Sequence, residues 1–203
     1  MAKLMNEICG LIDSYGGRDV LMEALCQSAK LLAGYQANRN PDLSQRCATV
    51  SSKISGARAT FRLFEDLPVF QYTLQYGLGE DEPDRITAVL GVMSNAVDLH
   101  FYPIETICWL AEHKVLDVGN RKAWSYINSM FCVLAVQLNL VRTLRTFSLN
   151  RETLNRQYVM SLARVSLDLV HAISTLPRGC LWGGKMSTLQ VGAIGTLSAG
   201  IGI

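Results

Sequence analysis

The sequence carries little charge for a globular protein. Charged residues make up 18% of its 203 positions, against about a quarter in an ordinary soluble domain, and 49% are apolar. Residues 1–122 hold 12 basic and 15 acidic side chains, whereas residues 123–203 hold 7 basic and 2 acidic ones. A basic half that contains long apolar stretches favours an anionic lipid surface as its partner. Because no Lys-rich or Arg-rich tract occurs, we expect no nucleic-acid partner.

Motifs of catalysis and cofactor binding are also missing. The sequence contains no GxSxG nucleophile elbow, no Walker phosphate loop and no dinucleotide-binding fingerprint. Its three histidines, His100, His113 and His171, are far apart and lack the spacing of metal ligands. We therefore predict no catalytic residue, no metal site and no cofactor, and a protein that is not an enzyme.

Six cysteines occur without a CxxC pair and lie mostly within apolar patterns. This usage is typical of reduced thiols that pack as small apolar residues. Glu7 and Asp13 interrupt the first apolar residues, so we expect no secretory signal.

No stretch alternates apolar and polar residues as a half-buried strand does, and helical periodicity dominates. We predict an all-α integral membrane protein with amphipathic surface helices and one or two hydrophobic spans. A first helix is expected to begin at the cap Asp19, and a second at the cap Asn40 with Pro41 in its first turn. A further helix should end near Pro103, and another should run from Leu154 to Leu176.

The second helix has the most informative pattern, since one continuous apolar stripe runs along it at spacings of three and four residues. Basic side chains border that stripe on both edges, as they do in helices that lie in a membrane interface. Ordinary core packing with solvated flanks is the alternative. A transmembrane position is excluded because four charges would cost roughly 3 kcal/mol each. The predicted insertion face is Leu43, Cys47, Val50, Ile54, Phe61 and Phe64, and the predicted headgroup contacts are Arg46, Lys53, Arg58 and Arg62.

Two charged stretches follow. The acidic run GEDEPD, residues 79–84, is expected to be a solvated loop that leads into a helix. The arginine-rich run RTLRTFSLNRETLNR, residues 142–156, is either a solvated connector or a contact for lipid headgroups or a targeting receptor.

Two uncharged stretches are candidates for membrane spans. Residues 123–141 would reach about 28 Å as a helix, close to the hydrocarbon thickness, with Trp124 and Tyr126 near one end. A buried soluble helix is the alternative for this segment. Residues 186–203 are barely long enough to span a membrane. Small residues recur four apart along them, so we expect close packing against 123–141 or against a second copy of the protein. A flexible tail is the alternative. The predicted packing residues are Gly192, Gly195, Thr196, Ala199 and Gly200.

These stretches divide the chain into four parts. We expect a helical region on the membrane surface, a first span, a basic amphipathic connecting region and a second span. Their ranges are 1–122, 123–141, 142–185 and 186–203.

Three sequences, in order and with matching spacing, carry a resemblance to a known family. They are TFRLFEDLPVFQYTLQYGLG at 60–79, LGVMSNAVDLHFYPIETICWLAEHKVL at 90–116 and LPRGCLWGGKMSTLQVGAIGTLSA at 176–199. Together they resemble the peroxin eleven family of peroxisomal membrane proteins, in particular its gamma type. The likeness spans nearly the whole chain.

The resemblance implies an integral protein of the peroxisomal membrane that promotes elongation, division and proliferation of the organelle. It further implies insertion of an amphipathic helix before and through the RLF sequence, which corresponds to residues 43–64. The implied partners are peroxisomal membrane lipids, the protein itself, sibling family members and the fission machinery. Two alternatives stay open: a solute pore, suggested by Asn128, Gln137 and Asn139 on an apolar segment, and a soluble helical adaptor.

Overall fold

A computed structural model describes residues 2–149 and 156–202 of the protein. Within those ranges the secondary structure is helical and contains no strand, which confirms the all-α prediction. The eight helices of the described ranges are α1 Ala2–Asp13, α2 Tyr15–Gln36, α3 Pro41–Arg62, α4 Asp66–Tyr76, α5 Arg85–Glu112, α6 Arg121–Leu149, α7 Arg156–Ser174 and α8 Thr188–Gly202.

Local capping chemistry sets where α2 and α3 begin. The side chain of Asn40 accepts a hydrogen bond from the Leu43 backbone N–H at 3.1 Å, and Pro41 opens α3, as the sequence predicts. The prediction that Asp19 caps the preceding helix is wrong. Ser14 is the cap, accepting from the Gly17 N–H at 3.0 Å, and Asp19 lies inside α2.

Helix α5 does not end near Pro103 but continues through this residue to Glu112. Proline removes one backbone hydrogen bond, and the packing of α5 along α6 maintains the helix across that defect. The two helices are antiparallel. Asp84, just before α5, binds Arg145 near the end of α6, and His100, later in α5, stacks on Phe131, earlier in α6, with the ring centroids 6.1 Å apart.

The chain divides into two compact units. The first comprises residues 1–58 and 186–203, in which α1 and α8 both pack on α2. The second comprises residues 59–185, in which α4 packs on α5, α5 on α6 and α6 on α7.

The buried side chains of both units are mostly small, and few large apolar groups are enclosed. Leu138, Val165, Ile173 and Leu176 are buried in the second unit, whereas Cys26, Ala33 and Ala199 are buried in the first. Many large apolar side chains instead remain exposed on α3, α4 and α6. Surfaces of this kind mark contacts with a membrane or another protein.

Candidate membrane-contacting site

The predicted insertion face of α3 is largely accessible. The exposed fractions of Val50 and Phe61 are 51% and 52%, and Leu43 is also exposed. Phe64 lies in the turn after α3 and is 77% exposed. Cys47 and Ile54 are half-buried, and the small Ser51 of the same helix is buried where the Cys26 thiol contacts its carbonyl oxygen.

The four cations beside this face have different surroundings. Arg46 and Lys53 are exposed, and within the described part of the chain neither has a carboxylate partner. Arg58 binds Asp19 through two hydrogen bonds of 2.8 and 2.9 Å, with Glu23 at 3.6 Å. Burial alone would lower the pKa of Arg58, but the hydrogen bonds to Asp19 and the charge of Glu23 outweigh burial and raise the pKa.

Arg62 is paired as well. Its guanidinium donates to Glu105 of α5 at 2.7 Å, and Glu105 is mostly buried. Arg58 is therefore ion-paired to α2, and Arg62 is ion-paired to α5. Of the four predicted headgroup contacts, Arg46 and Lys53 are thus the two that are exposed and without an ion pair in the described part of the chain.

A second apolar surface, which the sequence analysis overlooked, lies on α4 and its flanking turns. Leu67, Phe70 and Leu74 follow spacings of three and four residues and share a side of α4, and Phe64 and Leu78 lie in the turns before and after the helix. Leu67, Leu74 and Leu78 are 78%, 67% and 77% exposed. The spacing of these apolar residues in the sequence would have indicated this surface.

Helix α6 contains the first candidate span. It has 29 residues, and only 6% of its most apolar window is buried inside the chain. Among the described residues it is the helix that is long and apolar enough to cross a membrane. Trp124 and Tyr126 lie near its amino-terminal end, where interfacial aromatic residues are common.

The other end of α6 is fastened to the acidic loop. Arg142 donates to Glu82 at 2.5 Å, and Arg145 donates to Asp84 at 2.7 Å. Hydrogen bonds from Thr87, followed by that from Arg145, lower the pKa of Asp84 to about 2. The loop at 79–84 leads into α5 as predicted, but its carboxylates Glu82 and Asp84 bind the two arginines instead of standing free in solvent. Residues 150–155 of the arginine-rich run lie outside the described residues.

The glycine stripe of α8 lies against α2. A Cβ added at Gly192 would be 2.5 Å from the Leu31 nitrogen, and one added at Gly195 would be 2.4 Å from the Gln27 side chain. Ala199 is buried too, and the Thr196 hydroxyl donates to the Gly192 carbonyl at 2.7 Å, whereas Gly200 faces open space. Gly192 and Gly195 thus pack on α2, and not on residues 123–141 as one of the two predictions had it.

Helix α8 is shorter than the predicted second span. Its 15 residues extend about 22 Å, less than the roughly 30 Å of a hydrocarbon core. The segment 186–203 as a span stays a prediction, and Ile203 lies outside the described residues.

Comparison with known proteins identifies the family. The model of the family Peroxisomal biogenesis factor 11 (PEX11) matches residues 5–203. The chain belongs to this family. It is 32% identical to mouse Peroxisomal membrane protein 11C over 97% of this chain and 91% of the relative. The human protein of the same name is 30% identical over 96% of this chain and 91% of the relative. No solved structure matches.

Membership of the PEX11 family confirms the resemblance seen in the sequence and assigns the chain to peroxisome biogenesis at the membrane. The family is described by its role in the biogenesis of an organelle and not by an enzymatic activity. The candidate span in α6 agrees with integration into a membrane.

Proposed function

We propose that this PEX11 protein elongates the peroxisomal membrane before division by inserting the apolar face of α3 between lipid headgroups. An inserted helix widens one leaflet relative to the other, and the difference in area favours curvature. In this proposal Val50, Phe61 and Phe64 enter the acyl boundary while Arg46 and Lys53 contact phosphates.

The observation that carries the proposal is the exposure of large apolar side chains along α3. Val50 and Phe61 each leave about half of their surface uncovered, although both belong to the face that should be buried if α3 were an ordinary core helix. In water this arrangement would forgo about 25 cal/mol for every Å² of apolar surface left uncovered. A lipid surface covers the same side chains without a partner protein.

Two of the predicted headgroup contacts have another role in this proposal. Arg58 binds Asp19 and Arg62 binds Glu105, so in this proposal the two arginines contact carboxylates of the chain and leave the headgroup contacts to Arg46 and Lys53.

The test places one negative charge at each of two exposed positions of the face. The variant Val50→Asp with Phe61→Asp should keep the helical fold, because both side chains are half exposed. In cells that lack the native protein, this variant should reach peroxisomes but fail to elongate them. The matched control, Ser52→Asp with Ser55→Asp, adds the same charge on exposed positions of the opposite side and should elongate them normally.

Elongation by the first variant would refute insertion through α3, and failure of both variants would point to the added charge itself. Self-association through the glycine stripe stays a prediction: Gly192 and Gly195 face α2, whereas Gly200 faces open space.

A further inference from the structure

A groove of about 510 Å³ lies beside the amino-terminal end of α6 in the second unit. Its basic side is formed by Arg121 and Lys122, and Ser125, Ser129 and Thr175 add hydroxyl groups. Tyr126 and Pro177 supply apolar wall. None of the described lining residues carries a carboxylate.

The charges of this groove differ from those at the other end of the same helix. Arg142 and Arg145 are both ion-paired with acidic residues, whereas within the described ranges Arg121 and Lys122 have no ion pair. Glu112 lines a neighbouring cavity together with Arg121 but makes no salt bridge with it. Two uncompensated cations thus face one cavity that combines hydroxyl and apolar lining.

Position adds a second argument about the occupant. The groove lies at one end of the candidate span, next to Trp124 and Tyr126, where the headgroup region of a bilayer would lie. A phosphate with attached acyl chains matches all three parts of the lining: cations for the phosphate charge, hydroxyls for its oxygens and apolar wall for the chains.

We propose that this groove binds the headgroup of one anionic phospholipid, with the phosphate on Arg121 and Lys122 and the upper acyl chain along Tyr126 and Pro177. The site is separate from the face of α3. Its failure would leave the proposed function standing, and the reverse also holds.

The experiment offers the purified full-length protein equimolar phosphatidylserine and phosphatidylcholine in detergent and counts the retained lipids by native mass spectrometry. The wild type should retain phosphatidylserine in preference. Substitution of Arg121→Gln with Lys122→Gln should reduce that preference, by roughly fivefold for each charge removed. Ser129→Phe leaves the charge unchanged and fills the groove, and it should reduce retention as well.

The matched control is Arg85→Gln with Arg156→Gln, which removes the same charge from the first residues of α5 and α7. It should retain phosphatidylserine like the wild type, and circular dichroism should show equal helix content in all variants. Equal retention of both lipids by the wild type, or an equal loss in the control, would overturn the proposal. Displacement of the lipid by an equal concentration of inorganic phosphate would assign the site to free phosphate instead.

Discussion

Asp84 has two structural roles at once. Its Oδ1 atom accepts a hydrogen bond from the Thr87 backbone N–H at 3.2 Å and so caps α5, while its Oδ2 atom accepts from Arg145 of α6 at 2.7 Å. A single carboxylate therefore sets the first residue of α5 and joins α5 to the end of α6.

The two roles can be separated by substitution. Asn caps a helix about as well as Asp but carries no charge for Arg145, whereas Ala does neither. Asp84→Asn should therefore lower the melting temperature less than Asp84→Ala, as measured by circular dichroism in detergent. Equal melting temperatures for the two variants would contradict a separate contribution from the Arg145 ion pair.

The pKa of Asp84 also predicts a dependence on pH. Because its folded-state pKa, about 2, lies below the ordinary 3.8, ionised Asp84 stabilises the fold above about pH 4. That contribution should be lost as the pH falls from about 4 to about 2. Between pH 4 and pH 2 the melting temperature of the wild type should therefore fall, and that of Asp84→Asn should fall less.

Gly91 makes room for an aromatic ring. A Cβ at this position of α5 would lie within bonding distance of the Tyr76 hydroxyl, which donates to Glu82 at 3.0 Å. Gly91→Ala should therefore displace Tyr76 and disturb the pairing of Glu82 with Arg142, destabilising the protein by on the order of 1–3 kcal/mol. Denaturant unfolding in detergent measures this change in the free energy of unfolding.

The control for that substitution is Gly56→Ala on α3. Nothing lies within 4 Å of a Cβ at Gly56, so only the helix-propensity gain remains and this variant should be stabilised by about 0.5–1 kcal/mol. If both variants were stabilised, Tyr76 would not pack against Gly91.

At the scale of elements, backbone contact joins α8 to α2. Gly34 of α2 faces the Leu189 backbone as closely as Gly192 of α8 faces Leu31, so each helix contributes a glycine to the crossing. Close approach of backbones maximises van der Waals contact, which is the main attraction between helices in lipid and a considerable one in water.

A methyl group should separate these two helices. Gly192→Ala is expected to push α8 away from Leu31 and to increase protease cleavage between α7 and α8, whereas Gly200→Ala meets open space and should leave cleavage unchanged. Limited proteolysis in detergent compares the two variants. Unchanged cleavage of Gly192→Ala would refute the packing of α8 on α2.

Elements with local signals were predictable from the sequence, and elements fixed by distant partners were not. Asn40 and Pro41 correctly predicted the start of α3, because capping involves residues within one helical turn. The prediction that a helix ends near Pro103 is wrong. Helix α5 continues through this residue because it packs along α6, and a contact between distant segments leaves no local signal in the sequence. The ion pairs of Arg58 and Arg62 join residues 39 and 43 positions apart in sequence, which no local pattern reveals.

At the scale of the whole molecule, the α5–α6 hairpin constrains any crossing of the membrane. Because the two helices are packed antiparallel and Arg145 binds Asp84, the loop at 77–84 lies at one end of α6 and the loop at 113–120 at the other. If α6 crosses the bilayer, as the sequence predicts, the two loops lie on opposite sides of it.

This arrangement predicts a difference in labelling. In a cysteine-free background, Glu80→Cys and Asp117→Cys should react differently with a membrane-impermeant maleimide in intact peroxisomes, one being labelled and the other protected. Both should react after detergent is added. Labelling of both in intact organelles would contradict a span through α6.

The central claim, that the exposed face of α3 enters lipid, is tested most directly by measuring depth. Nitroxide labels placed singly at Val50 and Ser52 occupy opposite sides of the same helix in the full-length protein reconstituted into anionic vesicles. The account predicts that the label at 50 is relaxed by oxygen and shielded from a water-soluble nickel complex, while the label at 52 shows the reverse. Equal exposure of both labels to the nickel complex would contradict it.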